Sequence, residues 1–146
     1  METLQPPYSL VERDVEEEIL PFAERQDLGV IVYSPMGSGL LTGRMTRERI
    51  EGMPDNDWRK GDPSFQEPEL SRHLALVERL EALAERHDDT TPGAVAVAWT
   101  LRNPAVDGAI VGFRRPDQVD PIVAGAQLEL TMADVEELLG SGAPPG

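Results

Sequence analysis

A parallel α/β fold is predicted by three features of this 146-residue sequence. Short runs of β-branched and other apolar residues occupy positions 30–33 and 109–111. Segments whose apolar residues recur every three or four positions lie between and after these runs. Glycine and proline punctuate the junctions, and this alternation of strand and helix is typical of parallel sheets with helical crossovers. The length fits a single domain, and a 40% share of hydrophobic residues is enough to form a core.

The first helix and its following strand are predicted within residues 14–33. Apolar residues recur at helical spacing after Asp14, and glutamates at 16–18 occupy the first turn, where the helix dipole favours negative charge. The pattern therefore predicts a helix over residues 14–26, which ends before Gly29. The next four residues are apolar on both faces, which is typical of a strand buried on both sides. A further strand is predicted upstream, near residues 3–6.

Residues 34–68 form a long loop in this interpretation, because they are rich in turn formers and show no sustained period. Loops of this length inside a compact domain are usually functional or disordered. Trp58 and Phe65 are predicted to anchor the loop, with capping of a pocket as the alternative.

The second half of the chain is predicted to hold four helices and one strand. The helices cover residues 71–87, 92–101, 116–124 and 130–139, and the strand covers residues 109–111. Ser71, Thr91 and Thr131 are the expected N-caps, Pro92 starts its helix, and Trp99 is expected in the core. Residues 141–146 are expected to form a flexible tail.

Composition excludes several classes of function. Thirteen basic against 27 acidic residues give a net charge of −14, which argues against nucleic-acid and anionic-membrane partners. The absence of cysteine removes thiolate chemistry and cysteine-ligated metals. His73 and His87 fall at opposite ends of one predicted helix, so no metal site is expected. No leader or membrane span is recognisable, and a cytoplasmic protein is the expectation.

Two loops that follow predicted strands carry residues suited to phosphate. Residues 34–39, Ser-Pro-Met-Gly-Ser-Gly, have the hydroxyls and small residues of an anion-binding nest, although such a segment is more often only a turn. Arg114 and Arg115 follow Gly112, and arginine forks match phosphate geometry. The alternative is that both are surface arginines paired with some of the many acidic residues.

The order of these motifs resembles a known enzyme family. Gln5-Pro6-Pro7-Tyr8-Ser9-Leu10, the segment 29–43, Asp57-Trp58-Arg59, and Ala109-Ile110-Val111-Gly112 with the residues that follow resemble the C-terminal half of the aldo-keto reductases. The bacterial branch related to potassium-channel β-subunits is the most similar. The resemblance implies a (β/α)8 TIM barrel, of which residues 1–140 would supply strands six to eight and their helices. The barrel would thus be incomplete in this chain.

The resemblance also implies a cofactor and a site. Members of the family reduce carbonyls with NADPH, and Gln5 would contact the nicotinamide carboxamide while Tyr33 stacks on the ring. The phosphates and the adenosine end, with its 2′-phosphate near Arg114, would be held by Ser34, Pro35, Met36, Gly37, Ser38, Arg44, Gly112, Arg114 and Gln118. The sequence departs from the family at Pro121 and Ile122, where Glu-Asn usually contacts the adenosine, and this argues against tight binding.

The family's catalytic Asp, Tyr, Lys and His belong to its first five β/α units, so no catalytic residue is expected in this chain. Lys60 is the only lysine and lies in the long loop. The implied function is therefore an NADPH-dependent carbonyl reductase that acts on its substrate only when an N-terminal half completes it. The alternative is a non-catalytic fragment or partner chain, with self-association through exposed barrel edges.

Overall fold

A computed structural model of the chain describes residues 2–87 and 90–140 and contains one parallel sheet. Its strands are β1 (Thr3–Leu4), β2 (Gly29–Tyr33) and β3 (Gly108–Ile110), and they lie in the order β1-β2-β3. Both pairings are parallel. The predicted adjacent parallel strands are therefore confirmed, with β3 beginning one residue earlier than expected. The predicted tail, residues 141–146, lies outside the described residues.

Six α-helices accompany the sheet within the described residues. They are α1 (Ile19–Arg25), α2 (Arg47–Glu51), α3 (Glu69–Arg86), α4 (Pro92–Leu101), α5 (Val119–Val123) and α6 (Met132–Leu139).

Proline accounts for the two predicted helices that are shorter than expected. The segment predicted at 14–26 starts as a 3-10 turn, Asp14–Glu16, and α1 begins only at Ile19. Pro21 has no N–H to donate to the carbonyl four residues earlier, so an uninterrupted α-helix is disfavoured. Pro121 acts in the same way on the segment predicted at 116–124, where α5 is flanked by the 3-10 turns Pro116–Gln118 and Ala124–Gln127.

The N-cap of α3 differs from the prediction, whereas two others are confirmed. α3 begins at Glu69, and the Ser71 hydroxyl donates to the Glu67 carboxylate at 2.6 Å instead of capping the helix. The Thr91 hydroxyl accepts from the Ala94 N–H, and Thr131 caps α6 in the expected way.

The long loop after β2 is folded, which excludes the disordered alternative for it. It contains α2 and three 3-10 turns, and it encloses a second hydrophobic cluster. The Phe65 ring is buried there and meets the exposed Trp58 ring edge-on at 6.3 Å. The cluster consists of Leu40, Met45, Ile50, Met53, Phe65 and Leu70. The prediction that Trp58 and Phe65 anchor the loop is consistent with this packing.

The main core lies on one face of the sheet. Val30 and Val32 are fully buried there, together with Leu80 and Leu83 of α3 and Val95 of α4. Trp99 is also in this core, as expected, with its ring 5.1 Å from that of Tyr8.

The opposite face of the sheet is uncovered in the described chain. Ile31 is 37% exposed, and Tyr33 and Ile110, which are register partners on β2 and β3, are 41% and 44% exposed. The prediction that β2 is buried on both sides is therefore wrong here. Apolar residues on both faces require cover from two layers, and the burial pattern shows cover on one side only.

Replacement of Thr131 by alanine tests the cap of α6. The Thr131 hydroxyl accepts from the Asp134 N–H, and the Asp134 carboxylate accepts from the Thr131 N–H at 2.8 Å. Loss of an N-cap costs about 1 kcal/mol of unfolding free energy. Urea denaturation is expected to show this loss for Thr131→Ala, whereas Thr3→Ala, at an exposed position, changes it by less than about 0.5 kcal/mol. Equal losses would contradict the capping role.

Candidate functional site

A cleft of about 1100 Å³ opens at the carboxyl ends of β2 and β3. Tyr33 and Ser34 line it from the end of β2, and Ile110 and Gly112 line it from the end of β3. In parallel α/β folds, ligands bind beside the loops that follow the carboxyl ends of the strands. The two loops singled out from the sequence therefore meet at one site.

The turn after β2 has an unusual backbone. Ser34, Gly37 and Ser38 all have φ between 54° and 56°, in the left-handed region that non-glycine residues rarely adopt. Such strain is found preferentially where a site positions a ligand. The hydroxyls of Ser34 and Ser38 line the cleft, and neither has a hydrogen-bond partner in the part of the chain that the structure describes. They are available to a ligand with oxygen atoms.

The loop after β3 is held by Gln118. The Gln118 side-chain oxygen accepts from the N–H groups of Arg114 and Arg115, at 2.9 and 3.1 Å. Arg115 forms an exposed ion pair with Asp117 at 2.9 Å, which agrees with the surface-pairing alternative for that arginine. Arg114 forms no ion pair with any residue of the described ranges, and it lines the cleft.

The cleft concentrates positive charge in an acidic protein. Five of the 13 basic residues line it, but only three of the 27 acidic ones do. This reverses the balance of the whole chain and favours an anionic ligand. The five are Arg44, Arg49, Arg59, Arg114 and Arg115, and the acidic residues are Glu81, Glu85 and Asp117.

The segment 57–59 supplies one of these arginines in a fixed orientation. The Arg59 guanidinium donates two hydrogen bonds to the Asp57 carboxylate, at 2.9 and 2.6 Å. These bonds, and to a smaller extent the positive charge of Arg114, lower the pKa of Asp57 to about 2. The same pairing raises the pKa of Arg59. Asp57 therefore stays ionised at neutral pH and holds Arg59 at the cleft.

The structure brings most of the sequence-predicted residues to the cleft. Those that line it are Tyr33, Ser34, Pro35, Met36, Ser38, Arg44, Gly112, Arg114 and Gln118. Gln5 is exposed and is not among the residues that line the cleft, so its contact with a nicotinamide stays a prediction. Gly37 does not line it either, because its α-carbon faces Val11, which a β-carbon would approach to 3.0 Å.

Sequence reasoning missed two of the cleft arginines, Arg49 and Arg59. Arg59 belongs to the motif Asp57-Trp58-Arg59, and the signal that could have identified it as a cleft residue is Asp57, which orients it. Arg49 follows the N-cap of α2 and is placed by the packing of the long loop, which no local pattern reveals.

The described ranges contain neither a metal-binding cluster nor a membrane-spanning helix. No group of three or more His, Asp or Glu residues could hold a metal ion within residues 2–87 and 90–140. No helix in the same ranges is long and apolar enough to cross a membrane.

A comparison with models of protein families identifies the family of this chain. The model of the Aldo/keto reductase family matches residues 1–141, which is nearly the whole sequence. The chain belongs to the aldo/keto reductase family. The resemblance to this family is thereby confirmed.

Curated relatives agree with this assignment. The chain is 38% identical to the aldo-keto reductase YhdN of Bacillus subtilis over 123 residues, which cover 84% of this chain and 36% of the relative. It is 32% identical to probable aldo-keto reductase 1 of Glycine max over 90% of this chain and 37% of that protein. It is 31% identical to the NADH-specific methylglyoxal reductase of Escherichia coli over 92% of this chain and 40% of that protein.

A solved structure shows the same arrangement of elements. The glycerol dehydrogenase of Gluconobacter oxydans superposes with a TM-score of 0.83 at 37% identity, over 93% of this chain and 40% of that one. The fold is that of an aldo-keto reductase, a TIM-barrel-like α/β fold. The chain spans between 36% and 40% of the length of these relatives.

Proposed function

We propose that this chain is the cofactor-binding part of an aldo-keto reductase and that its cleft holds NADP(H). The observation that carries the proposal is that both strand-end loops and five arginines line one and the same cleft. The family uses nicotinamide cofactors, and one relative is named as NADH-specific, so the choice between NADPH and NADH depends on this chain's own residues.

The residues at the cleft fit such a dinucleotide. The hydroxyls of Ser34 and Ser38, which have no hydrogen-bond partner among the described residues, suit phosphate oxygens. The exposed Tyr33 ring beside Ile110 offers a flat apolar surface to the nicotinamide. Arg114, whose guanidinium makes no ion pair within the described residues, is the proposed partner of a 2′-phosphate. When bound, the cofactor supplies a hydride to a carbonyl carbon. Gly112 and Gln118 shape the loop that carries Arg114.

The general acid that carbonyl reduction requires is proposed to lie outside this chain. Burial raises the pKa of Tyr8, and its hydroxyl donates to Glu16 at 2.6 Å. Tyr8 is therefore not available as the general acid. Lys60, which could activate a tyrosine, is bound to Asp55 at 2.9 Å and to the Met53 carbonyl at 3.1 Å. No tyrosine and lysine are paired among the described residues. Turnover of a carbonyl substrate therefore depends on an N-terminal half.

The uncovered sheet face is the proposed contact for that half. Ile31, which does not line the cleft, is exposed on it, and neither outer edge of the three-stranded sheet is paired within the described chain. Open parallel edges and apolar faces favour association. In the absence of the N-terminal half, copies of this chain are expected to associate through the same face. We propose a cytoplasmic location. The net charge of −14 argues against nucleic-acid and anionic-membrane partners.

Replacement of Arg114 by glutamate tests the choice of cofactor. A hydrogen bond to a charged group is worth about 1.5–3 kcal/mol, so the affinity for NADPH is expected to fall roughly 10- to 100-fold. The affinity for NADH, which has no 2′-phosphate, is expected to fall by no more than about threefold. Isothermal titration calorimetry on the whole chain measures both.

Arg25→Glu is the matched control, because it makes the same charge change on α1 at a residue that does not line the cleft. It is expected to leave both affinities unchanged. Equal losses of NADPH and NADH affinity in Arg114→Glu would refute the 2′-phosphate role. If NADPH does not bind to the unaltered chain, the cofactor proposal fails.

A further inference from the structure

The side of the cleft formed by α4 and α5 is apolar. Met36, Pro92, Pro121 and Ile122 all line it there. The proposed function places the reactive ring at Tyr33 and the 2′-phosphate at Arg114. Because the loop that carries Arg114 leads into α5, the purine base is expected to lie toward α5. The surface available to the base is therefore built from a thioether, two prolines and a branched alkyl group.

This apolar surface is fixed by close packing. A β-carbon on Gly93 would lie 2.7 Å from Cδ1 of Ile122 and 3.1 Å from Sδ of Met36. Because Gly93 has no side chain, Met36 and Ile122 both reach the start of α4. Side chains held in this way present a rigid apolar wall rather than a mobile one.

Several polar groups near this wall already have hydrogen-bond or ion-pair partners. The Gln118 side-chain oxygen accepts from two backbone N–H groups of its own loop. The Thr91 hydroxyl oxygen accepts from the Ala94 N–H, and the Thr42 hydroxyl donates to the Gly39 carbonyl at 2.8 Å. Asp117 is paired with Arg115. Pro121 has no N–H to offer.

We propose that Ile122, supported by Met36 and Gly93, makes the base end of this site an apolar contact surface that does not read the 6-amino group of the purine. The inference rests on the proposed function. It adds that the site accepts cofactors that differ in the purine base. An apolar pocket discriminates weakly between analogues that differ in one polar group, whereas a site that hydrogen-bonds the group rejects the analogue strongly. The site should therefore accept dinucleotides with altered bases.

Glu81 and Glu85 of α3 are the groups that could overturn this inference. Both line the cleft, and a carboxylate could accept a hydrogen bond from the 6-amino group. Such a bond is worth about 1.5–3 kcal/mol, which corresponds to at least a tenfold preference for adenine. The two interpretations therefore differ in a measurable affinity.

The experiment compares NADPH with reduced nicotinamide hypoxanthine dinucleotide phosphate, in which oxygen replaces the 6-amino group. Titration calorimetry on the unaltered full chain is expected to give dissociation constants within about threefold of each other, since no hydrogen bond to the amine is lost. Ile122→Asn, which adds an amide at the wall, is expected to create a preference for NADPH of about fivefold to tenfold. Val123→Asn, at an exposed residue of α5 that does not line the cleft, is the matched control and should create none.

The possible results separate the two proposals. A preference for NADPH of more than about tenfold in the unaltered chain, abolished by Glu85→Gln or Glu81→Gln, overturns this inference and leaves the proposed function standing. A preference that neither substitution abolishes overturns it as well. Failure of the unaltered chain to bind NADPH overturns both proposals. Equal affinities for the two dinucleotides support the inference even if Ile122→Asn fails to fold.

Discussion

The purified chain is expected to show no NADPH-dependent reduction of aldehydes on its own. Transfer of a hydride to a carbonyl leaves an alkoxide, which must be protonated as it forms, and general acid catalysis of this step contributes about 10²- to 10⁴-fold. The buried Tyr8 hydroxyl donates to Glu16, and Lys60, the one lysine, is paired with Asp55. Tyr33 is exposed on the open sheet face, where it is proposed to stack on the cofactor. Neither Tyr8 nor Lys60 is therefore available to protonate the product.

Oxidation of NADPH at 340 nm, measured with a panel of aldehydes, is the assay. The chain alone is expected to give the same rate as buffer. The chain mixed with the part of the Bacillus subtilis relative that lies outside the matched region is expected to give turnover, because that part would cover the open face and bring a general acid. Adding the same part to the Tyr33→Ala and Arg114→Glu double variant is the control and should restore much less.

Two results would contradict this view. Turnover by the isolated chain, above that of the double variant, would show that a residue of this chain serves as the acid. Failure of the mixture to form a complex by size-exclusion chromatography would remove the open sheet face as the contact for an N-terminal half. Self-association that disappears in the mixture, by contrast, would agree with one face serving both contacts.

The sequence predicted those parts of the fold that depend on local patterns. The β-branched runs located β2 and β3, and the hydroxyls of Thr91 and Thr131 marked the starts of α4 and α6, because caps act within three residues. It misjudged helix ends where proline acts within a periodic segment, as at Pro21. Periodicity records which residues are apolar and not which backbone N–H groups are missing.

The residues of the candidate site were likewise predicted only in part. The turn after β2 and the arginines after β3 were identified from residue types alone, and the structure places them on one cleft. Arg49 and Arg59 also line that cleft, but they come from a segment without a period whose shape depends on a small hydrophobic cluster. The exposure of Ile31 and Tyr33 could not be predicted from the sequence either. An apolar strand has the same residue pattern whether the chain covers one of its faces or both.

Gly125→Ala is expected to destabilise the chain more than other single substitutions considered. Gly125 lies in the 3-10 turn after α5, where the turn packs on α4. A β-carbon there would lie 2.4 Å from the Ala94 carbonyl oxygen and 3.0 Å from its α-carbon. Backbone atoms of a buried helix cannot rotate out of the way as a side chain can, so the turn and α4 must separate. Overpacking of this kind costs about 1–3 kcal/mol and occasionally more, and a value near 3 kcal/mol is expected here.

The measurement is the free energy of unfolding in urea, followed by circular dichroism. Gly61→Ala is the matched control, because a β-carbon at Gly61 meets nothing within 4 Å. It should be neutral or slightly stabilising, since alanine restricts the unfolded chain more than glycine does. Gly125→Ala should also move α5 away from α4 and so widen the cleft. NADPH binding should in addition weaken as the fraction of folded protein falls. Equal stabilities of the two variants would show that α4 and the turn after α5 are not in close contact.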